Sequence, residues 1–191
     1  LQFQAPATHR CTVDNRTYAG WPYDQVILGR RHSELAAAAR DLALAYRLTG
    51  EEPYGQSALW ILKQYAGLYT TYPHKDVNNR ANTRSGARAS AQTLDESVWL
   101  IPLAWAYDSL AGSAVMSDAD RALIERGLLR AAVEVIQRND AGISNWQSWH
   151  NAAVGAVGFA LRDSGLMEQA IDGKSGFRFQ MRNSVIGEGF W

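Results

Sequence analysis

Cysteine is almost absent from this 191-residue chain, with Cys11 as the single example. One thiol excludes an internal disulfide and a cysteine-based metal cage, and it leaves the redox compartment open. Net charge is absent as well. Nineteen Lys and Arg balance nineteen Asp and Glu, for a formal charge of +0. No global field therefore draws the chain to nucleic acid or to an anionic membrane, and any attraction for a polyanion has to be local. No apolar run is long enough to cross a bilayer. Histidine is scarce, and His9, His32, His74 and His150 show no His-x-x-x-His spacing. No metal is called for on that pattern, and no cofactor. His9, His32 and His74 read as surface or loop residues.

What is present is enough apolar material, 47% of the chain, for one domain or part of one. Seven Trp and eight Tyr are many for this length. They read either as core filler or as a groove that stacks on flat ligand faces, sugar rings among them. Residues 1–32 lack sustained periodicity and read as an irregular segment. Within it, Tyr18, Trp21 and Tyr23 either line a groove or pack on the first helices.

From residue 33 the pattern is helical. Leu35, Ala38, Ala39, Leu42, Ala45 and Tyr46 recur at helical spacing, and Gly50 is a stop signal. Pro53 opens the next helix and Pro73 closes it, which makes a helical hairpin over 33–72. A third helix, from Thr93 to Gly112, is apolar nearly all round and belongs on the inside, with Pro102 kinking it. Asp95 and Glu96 in its first turn suit the macrodipole; a catalytic role for them is the other reading. Ser117-Asp118-Ala119-Asp120 caps a fourth helix that reaches about Arg138. Antiparallel hairpins over 33–72, 93–138 and 144–186, with no convincing strand, predict an all-α fold: an incomplete (α/α) toroid.

Two stretches carry the chemistry. Residues 73–92 form a long loop rich in bases and amides. It reads either as a solvated loop or as an anion-binding wall in which Arg80, Arg84 and Arg88 grip carboxylates or sulfates, with Gln92 donating at the next helix start. The second is Ser144-Asn145-Trp146-Gln147-Ser148-Trp149-His150-Asn151-Ala152-Ala153. Ser144 caps the helix, amides, an imidazole and two indoles crowd its first turns, and Ala152, Val154, Gly155, Val157, Gly158, Phe159 and Leu161 carry it into a core. Gly165 is the expected stop.

The Asn145–Ala153 motif resembles the helix opening of polysaccharide lyases of the heparinase II/III and alginate lyase type. Ala43-Leu44-Ala45-Tyr46-Arg47-Leu48-Thr49-Gly50 and Leu94-Asp95-Glu96-Ser97-Val98-Trp99-Leu100-Ile101-Pro102-Leu103-Ala104-Trp105-Ala106-Tyr107-Asp108 are similar to helices of that toroid, and the resemblance spans roughly 33–191. It implies β-elimination on an anionic, uronic-acid polysaccharide. An amide neutralises the uronate carboxylate while a Tyr or His takes the C5 proton. Asn145 is the first candidate for the amide. His150 is a second candidate for catalysis and Asn151 for binding, while Trp146 and Trp149 stack on rings or support Asn145. This chain has Trp146 where many relatives have a His after the Asn. The segment Gly187-Glu188-Gly189-Phe190-Trp191 resembles the approach to the family's Tyr-bearing loop, so the catalytic Tyr and a C-terminal β-sheet domain are expected beyond it. The polymer substrate implies a secreted or periplasmic protein.

Two other readings stay open on the residues alone. A glycoside hydrolase would need two opposed carboxyl groups, for which Asp95, Glu96, Asp108 and Glu188 are available without a pairing motif. A helical-repeat interaction scaffold would need neither the Asn-Trp motif nor the arginine loop.

Overall fold

The structure, a computed structural model, describes residues 8–184. The fold is all-α, as the periodicity requires. The helices are α1 (Tyr23–Thr49), α2 (Glu52–Leu68), α3 (Thr93–Leu110), α4 (Asp118–Ile124), α5 (Ala131–Gln137), α6 (Asn145–Leu161), α7 (Ser164–Asp172) and α8 (Phe177–Ser184). A 3₁₀ turn over Tyr69–Thr71 extends α2, and a π-helical segment over Glu125–Arg130 joins α4 to α5. Two strands of two residues each, β1 (His9–Arg10) and β2 (Thr17–Tyr18), pair antiparallel near the start. No described helix is long and apolar enough to cross a membrane.

Helix contacts sort the chain into two layers. α3 lies between α1 and α6 in one layer. α2, then α4 with the π segment and α5, then α7 form the other, and α2, the π segment, α5 and α7 pack on the first. The core sits between the layers, with Leu62, Tyr65, Leu100, Leu103, Leu110, Ile124, Leu128, Leu129 and Ile136 almost fully enclosed. Burying each aliphatic side chain of this size contributes about 1.5–3 kcal/mol. Gly127 lets the π segment touch α2, because a Cβ there would stand 2.4 Å from the Ala66 carbonyl oxygen. The far face of the first layer stays open. Val98 and Trp105 on α3, and Trp149 and Phe159 on α6, are exposed along it.

Several boundaries differ from the sequence reading. α1 begins at Tyr23 rather than Ser33. Its first ten residues lack an apolar stripe because much of that stretch faces solvent, with Val26 exposed. Pro102 leaves α3 a single helix over Thr93–Leu110. α6 stops at Leu161 rather than near Gly165. Arg162 takes the left-handed conformation (φ 54°), and Asp163 accepts from the Gly165 and Leu166 N–H groups to start α7 immediately. Phe159 and Ala152 face outward rather than into the core.

The loop over 73–92 is folded rather than loose. Lys75 and Ala87 exchange two backbone hydrogen bonds, and the buried Asp76 carboxylate accepts from the Asn78 and Arg80 N–H groups and from Arg80 Nε. Glu96 then staples the loop's end to α3. This carboxylate is fully enclosed and accepts from Tyr69 Oη (2.6 Å), Ser90 Oγ (2.8 Å) and the N–H groups of Ser90 (2.9 Å) and Ala89 (3.2 Å). Burial raises its pKa, and these donors oppose that shift. The macrodipole reading of Glu96 therefore gives way to a structural one: it holds together the 3₁₀ turn after α2, the loop and α3.

His32 is buried inside α1, neither at the surface nor in a loop, while His74 lies in the loop as read but is buried there. His32 Nδ1 lies 2.9 Å from Tyr65 Oη, among the rings of Tyr65, Tyr72 and Trp99. Burial pushes its pKa from 6.5 down to about 4. His9 is half-buried and sits 2.6 Å from Asp24 Oδ1.

Two predictions rest on these buried groups. Glu96→Ala leaves Tyr69 Oη and three loop N–H groups, those of Arg88, Ala89 and Ser90, without their acceptor. It should lower stability by about 3–5 kcal/mol, read as the urea midpoint at unchanged slope. A loss under about 1 kcal/mol would show that the loop holds without the staple. For His32, a folded pKa below the unfolded one means that the unfolded state binds more protons between pH 6.5 and about 4. Its contribution is present above pH 6.5 and is lost as pH falls through that interval. The melting temperature should therefore drop from pH 7 to pH 5, and His32→Phe should flatten that slope; an equally steep slope in the variant would contradict the assignment.

Candidate functional site

Three chain segments meet at one rim. Asn139, just past α5, donates from Nδ2 to Thr93 Oγ1 at the start of α3 (3.0 Å). The Ala141 N–H donates to Gln147 Oε1 in the first turn of α6 (2.9 Å). Gly142 sits at φ 62°, a conformation that favours glycine, and turns the chain into α6. The N-termini of α3 and α6 are thereby held side by side. Each presents unpaired N–H groups and a positive dipole end, a setting that favours an anion.

Ser144 caps α6 as read from the sequence, its Oγ accepting from the Gln147 N–H at 3.3 Å. Asn145 follows, exposed, and its side chain makes no hydrogen bond to a described residue. Trp149, 43% exposed, lies four positions on and so on the same face. Gln92, half-buried, is the residue before α3, and its side chain does not cap that helix.

His150 does not join them. Five positions at about 100° each put it roughly 140° around the helix from Asn145. It is 2% exposed and opens into a separate cleft on the other side of α6. Neither ring nitrogen hydrogen-bonds a described residue with good geometry. Burial pushes its pKa from 6.5 down to about 4, although the Asn139 backbone and the Asp140 charge favour the protonated form. It is thus a neutral imidazole at ordinary pH, poorly suited to neutralising a carboxylate. Asn151 is also turned away. It accepts from Gln147 Nε2 (2.9 Å) and donates to the Ser175 carbonyl (2.8 Å), tying α6 to the turn before α8. Trp146 is half-buried, edge-on to His150 at 6.4 Å between ring centroids.

The arginines of the loop are partly committed to the protein itself. Arg80 pairs with Asp76 at 2.8 Å, and Arg84 Nε donates to the Arg138 carbonyl at 2.9 Å. Arg88 Nη1 donates to the Thr70 carbonyl (3.0 Å) and to that of Tyr72. Their placement still makes a local positive field. Burial, then the charges of Arg138 and Arg88, hold the His74 pKa down, so these two guanidiniums flank one buried imidazole. Arg84 lies close enough to Asp140 to help lower its pKa. Arg84, Arg88 and Arg138 therefore gather near the α3 and α6 N-termini, a cluster invisible in the net charge.

Sequence reasoning passed over the residues that build this rim. Gln147, Asn139, Thr93 and Arg138 each have a structural part there, and Gln180 pins α8 to it by donating to the Gly142 carbonyl (2.9 Å) and accepting from Ser148 Oγ (3.2 Å). A polar Gln between Phe177 and Met181 was the one available signal. The carboxylates of the hydrolase reading do not converge. Glu96 is spent on the staple. Asp95 and Asp108 are thirteen residues apart on one helix, about 20 Å at 1.5 Å per residue, against the ~5–9.5 Å that glycosidases use. Glu188, with the whole Gly187–Trp191 segment, lies outside the described residues. Every described tyrosine with a resolved shift moves upward, burial being the main cause for Tyr65, Tyr69, Tyr72 and Tyr107. None of these five is prepared as a base.

Comparison with known proteins agrees with the motif. An alginate lyase of Stenotrophomonas maltophilia (strain K279a) is 32% identical over 175 residues, covering 85% of this chain and 23% of that protein. An exo-oligoalginate lyase of Saccharophagus degradans (strain 2-40 / ATCC 43961 / DSM 17024) is 26% identical over 170 residues, covering 84% of this chain and 22% of that protein. The chain thus spans under a quarter of the length of either relative. The alginate lyase family model matches residues 4–186, nearly the whole sequence, and the chain belongs to that family.

Proposed function

We propose that this chain forms the uronate-binding helical part of a polysaccharide lyase that cleaves alginate by β-elimination. The observation that carries the reading is Asn145: an exposed amide with no described partner, at a helix N-terminus, in a rim where a second helix N-terminus and three arginines gather. The relatives' names, alginate lyase and exo-oligoalginate lyase, point to the polymer. We read the two helix layers as an arc of an (α/α) toroid.

In this reading the uronate carboxylate lies at the start of α6. Asn145 donates to it, and the helix dipole adds positive potential. Removal of the C5 proton pushes charge onto that carboxylate, so a donor fixed there stabilises the transition state more than the ground state. The electron pair then forms the C4–C5 double bond, the C4–O bond breaks, and the departing oxygen takes a proton. Trp149, on the same face as Asn145, offers a stacking platform for a ring. Gln92 is placed to donate from the α3 side, and Arg84, Arg88 and Arg138 supply the field that draws the anionic chain in. In this reading no described residue is assigned the C5 proton; burial raises rather than lowers the pKa of Tyr65, Tyr69, Tyr72 and Tyr107. A polymer substrate would place the protein outside the cytoplasm, secreted or periplasmic.

The test uses the complete protein with alginate and, as controls, hyaluronan, chondroitin, heparan and glucuronan. Ultraviolet absorbance of the unsaturated uronate should rise with alginate. Asn145→Ala should cut turnover by about 10²–10³-fold while leaving the helical circular dichroism unchanged. Near wild-type turnover would remove Asn145 from the mechanism. New reducing ends without ultraviolet absorbance would indicate hydrolysis instead.

A further inference from the structure

The cleft behind α6 has no part in the reaction above, yet it has the features of a binding site. It lies between α5, α6, α7 and the turn over 174–176, with a volume of about 200 Å³. A liquid water occupies about 30 Å³, so the space takes several waters or one six-membered sugar ring. Ile136, Val154 and Ala170 give it an apolar wall. His150 lines it, enclosed to all but 2%; neither ring nitrogen makes a well-aligned hydrogen bond to a described residue, the Asn139 backbone offering one of them no more than a poorly aligned contact. A buried polar atom left that way costs free energy, and native proteins rarely leave one without protein, water or ligand.

We propose that this cleft is a second saccharide subsite, which holds one sugar ring through its hydroxyl groups with His150 against them. The donor set favours hydroxyls over carboxylate. Gln169 Oε1 already accepts from Gln137 Nε2 (2.6 Å), which leaves the Gln169 amide hydrogens for a guest. Gln147 Nε2 spends one hydrogen on Asn151 and keeps another. An imidazole and side-chain amides both give and accept hydrogen bonds, as sugar hydroxyls do. A carboxylate would want fixed cations. Among the described residues that line the cleft the one cation is Lys174, 92% exposed at its mouth and opposed there by Asp140 at 3.9 Å, on which Arg84 also acts. A uronate would therefore enter hydroxyls first, its carboxylate left at the mouth near Lys174. The saccharide class rests on the proposed function; the existence of a polar, unfilled cleft does not. His150 stands across α6 from the Asn145 face, while Asn139, Asp140 and Gln147 border both the cleft and the rim, so one chain can be held on both sides of the helix or a short product held apart from the reacting bond.

The experiment is calorimetric titration of the complete protein with an alginate disaccharide. An Asn145→Ala background prevents turnover and weakens the other face. Saturable binding is expected to persist there, and to weaken at least tenfold on adding either His150→Phe or Gln169→Ala. His150→Phe keeps a ring in place without nitrogens. Gln169 is exposed, so its truncation leaves the core intact and decides the matter if the phenylalanine variant loses its helical circular dichroism. No binding in the background protein, or binding unchanged by Gln169→Ala and by a folded His150→Phe, overturns the subsite and leaves a cleft that holds water alone. The ultraviolet assay separates this from the lyase reading. Unsaturated product with unchanged disaccharide binding sinks the subsite only. Loss of binding in the cleft variants without unsaturated product from any polymer sinks the lyase reading only.

Discussion

A single buried carboxylate governs the geometry of the rim. Glu96 stands inside the first turn of α3 and gathers a tyrosine hydroxyl, a serine hydroxyl and three loop N–H groups around it. A charge in that position is costly unless its lone pairs are filled, and here five donors fill them. The consequence is positional. With the end of the loop fixed on α3 and Arg88 anchored on the carbonyls after α2, the arginines and Gln92 hold a constant relation to the α3 N-terminus. The Asn139–Thr93 bond extends that relation to α6. A loop whose composition fits either a solvated segment or an anion-binding wall is thus folded and anchored to its neighbours.

The other constraint is the periodicity of α6. Its opening motif crowds functional side chains into two turns, and a helix distributes such a run around its circumference. Asn145 and Trp149 come out on the open face, while Gln147, His150 and Asn151 come out on the packed one. The first pair is available to a polymer passing along the rim. The second group ties α6 to the turns before and after it, and around His150 leaves a small polar cleft. One short motif therefore serves two surfaces. The burial that isolates His150 also keeps it neutral, which suits hydrogen bonding to hydroxyls better than charge stabilisation.

The bare face of the first layer has the same origin. α3 is apolar almost all round and α6 is apolar beyond its opening turns, yet Val98, Trp105, Trp149 and Phe159 remain exposed on it. A helix of that composition is ordinarily covered on most sides. Near the rim the uncovered stripe includes Trp149, an aromatic face beside an amide and a positive field, which is the combination an anionic saccharide requires.

The helical fold, the hairpin order, the Ser117 and Ser144 caps and the alginate lyase kinship were legible in the sequence. They rest on local signals: hydrophobic spacing, capping side chains and a contiguous motif. Asn145 was legible for the same reason, since a residue next to a cap must stand at a helix mouth. Other features depended on where helices cross. The early start of α1 was hidden because much of its first three turns faces solvent and lacks a stripe. The burial of His32 and His74, the commitment of Asn151, and the use of Arg80, Arg84 and Arg88 as struts each involve partners distant in sequence or on another element. Glu96 in a first turn reads as a dipole partner until the loop folds over it. Sequence by itself determined the elements and the residue that opens α6, because those follow from neighbours along the chain. Only the tertiary structure decided which side of α6 each polar group serves and which charges are already spent, because those depend on contacts that form when the layers pack.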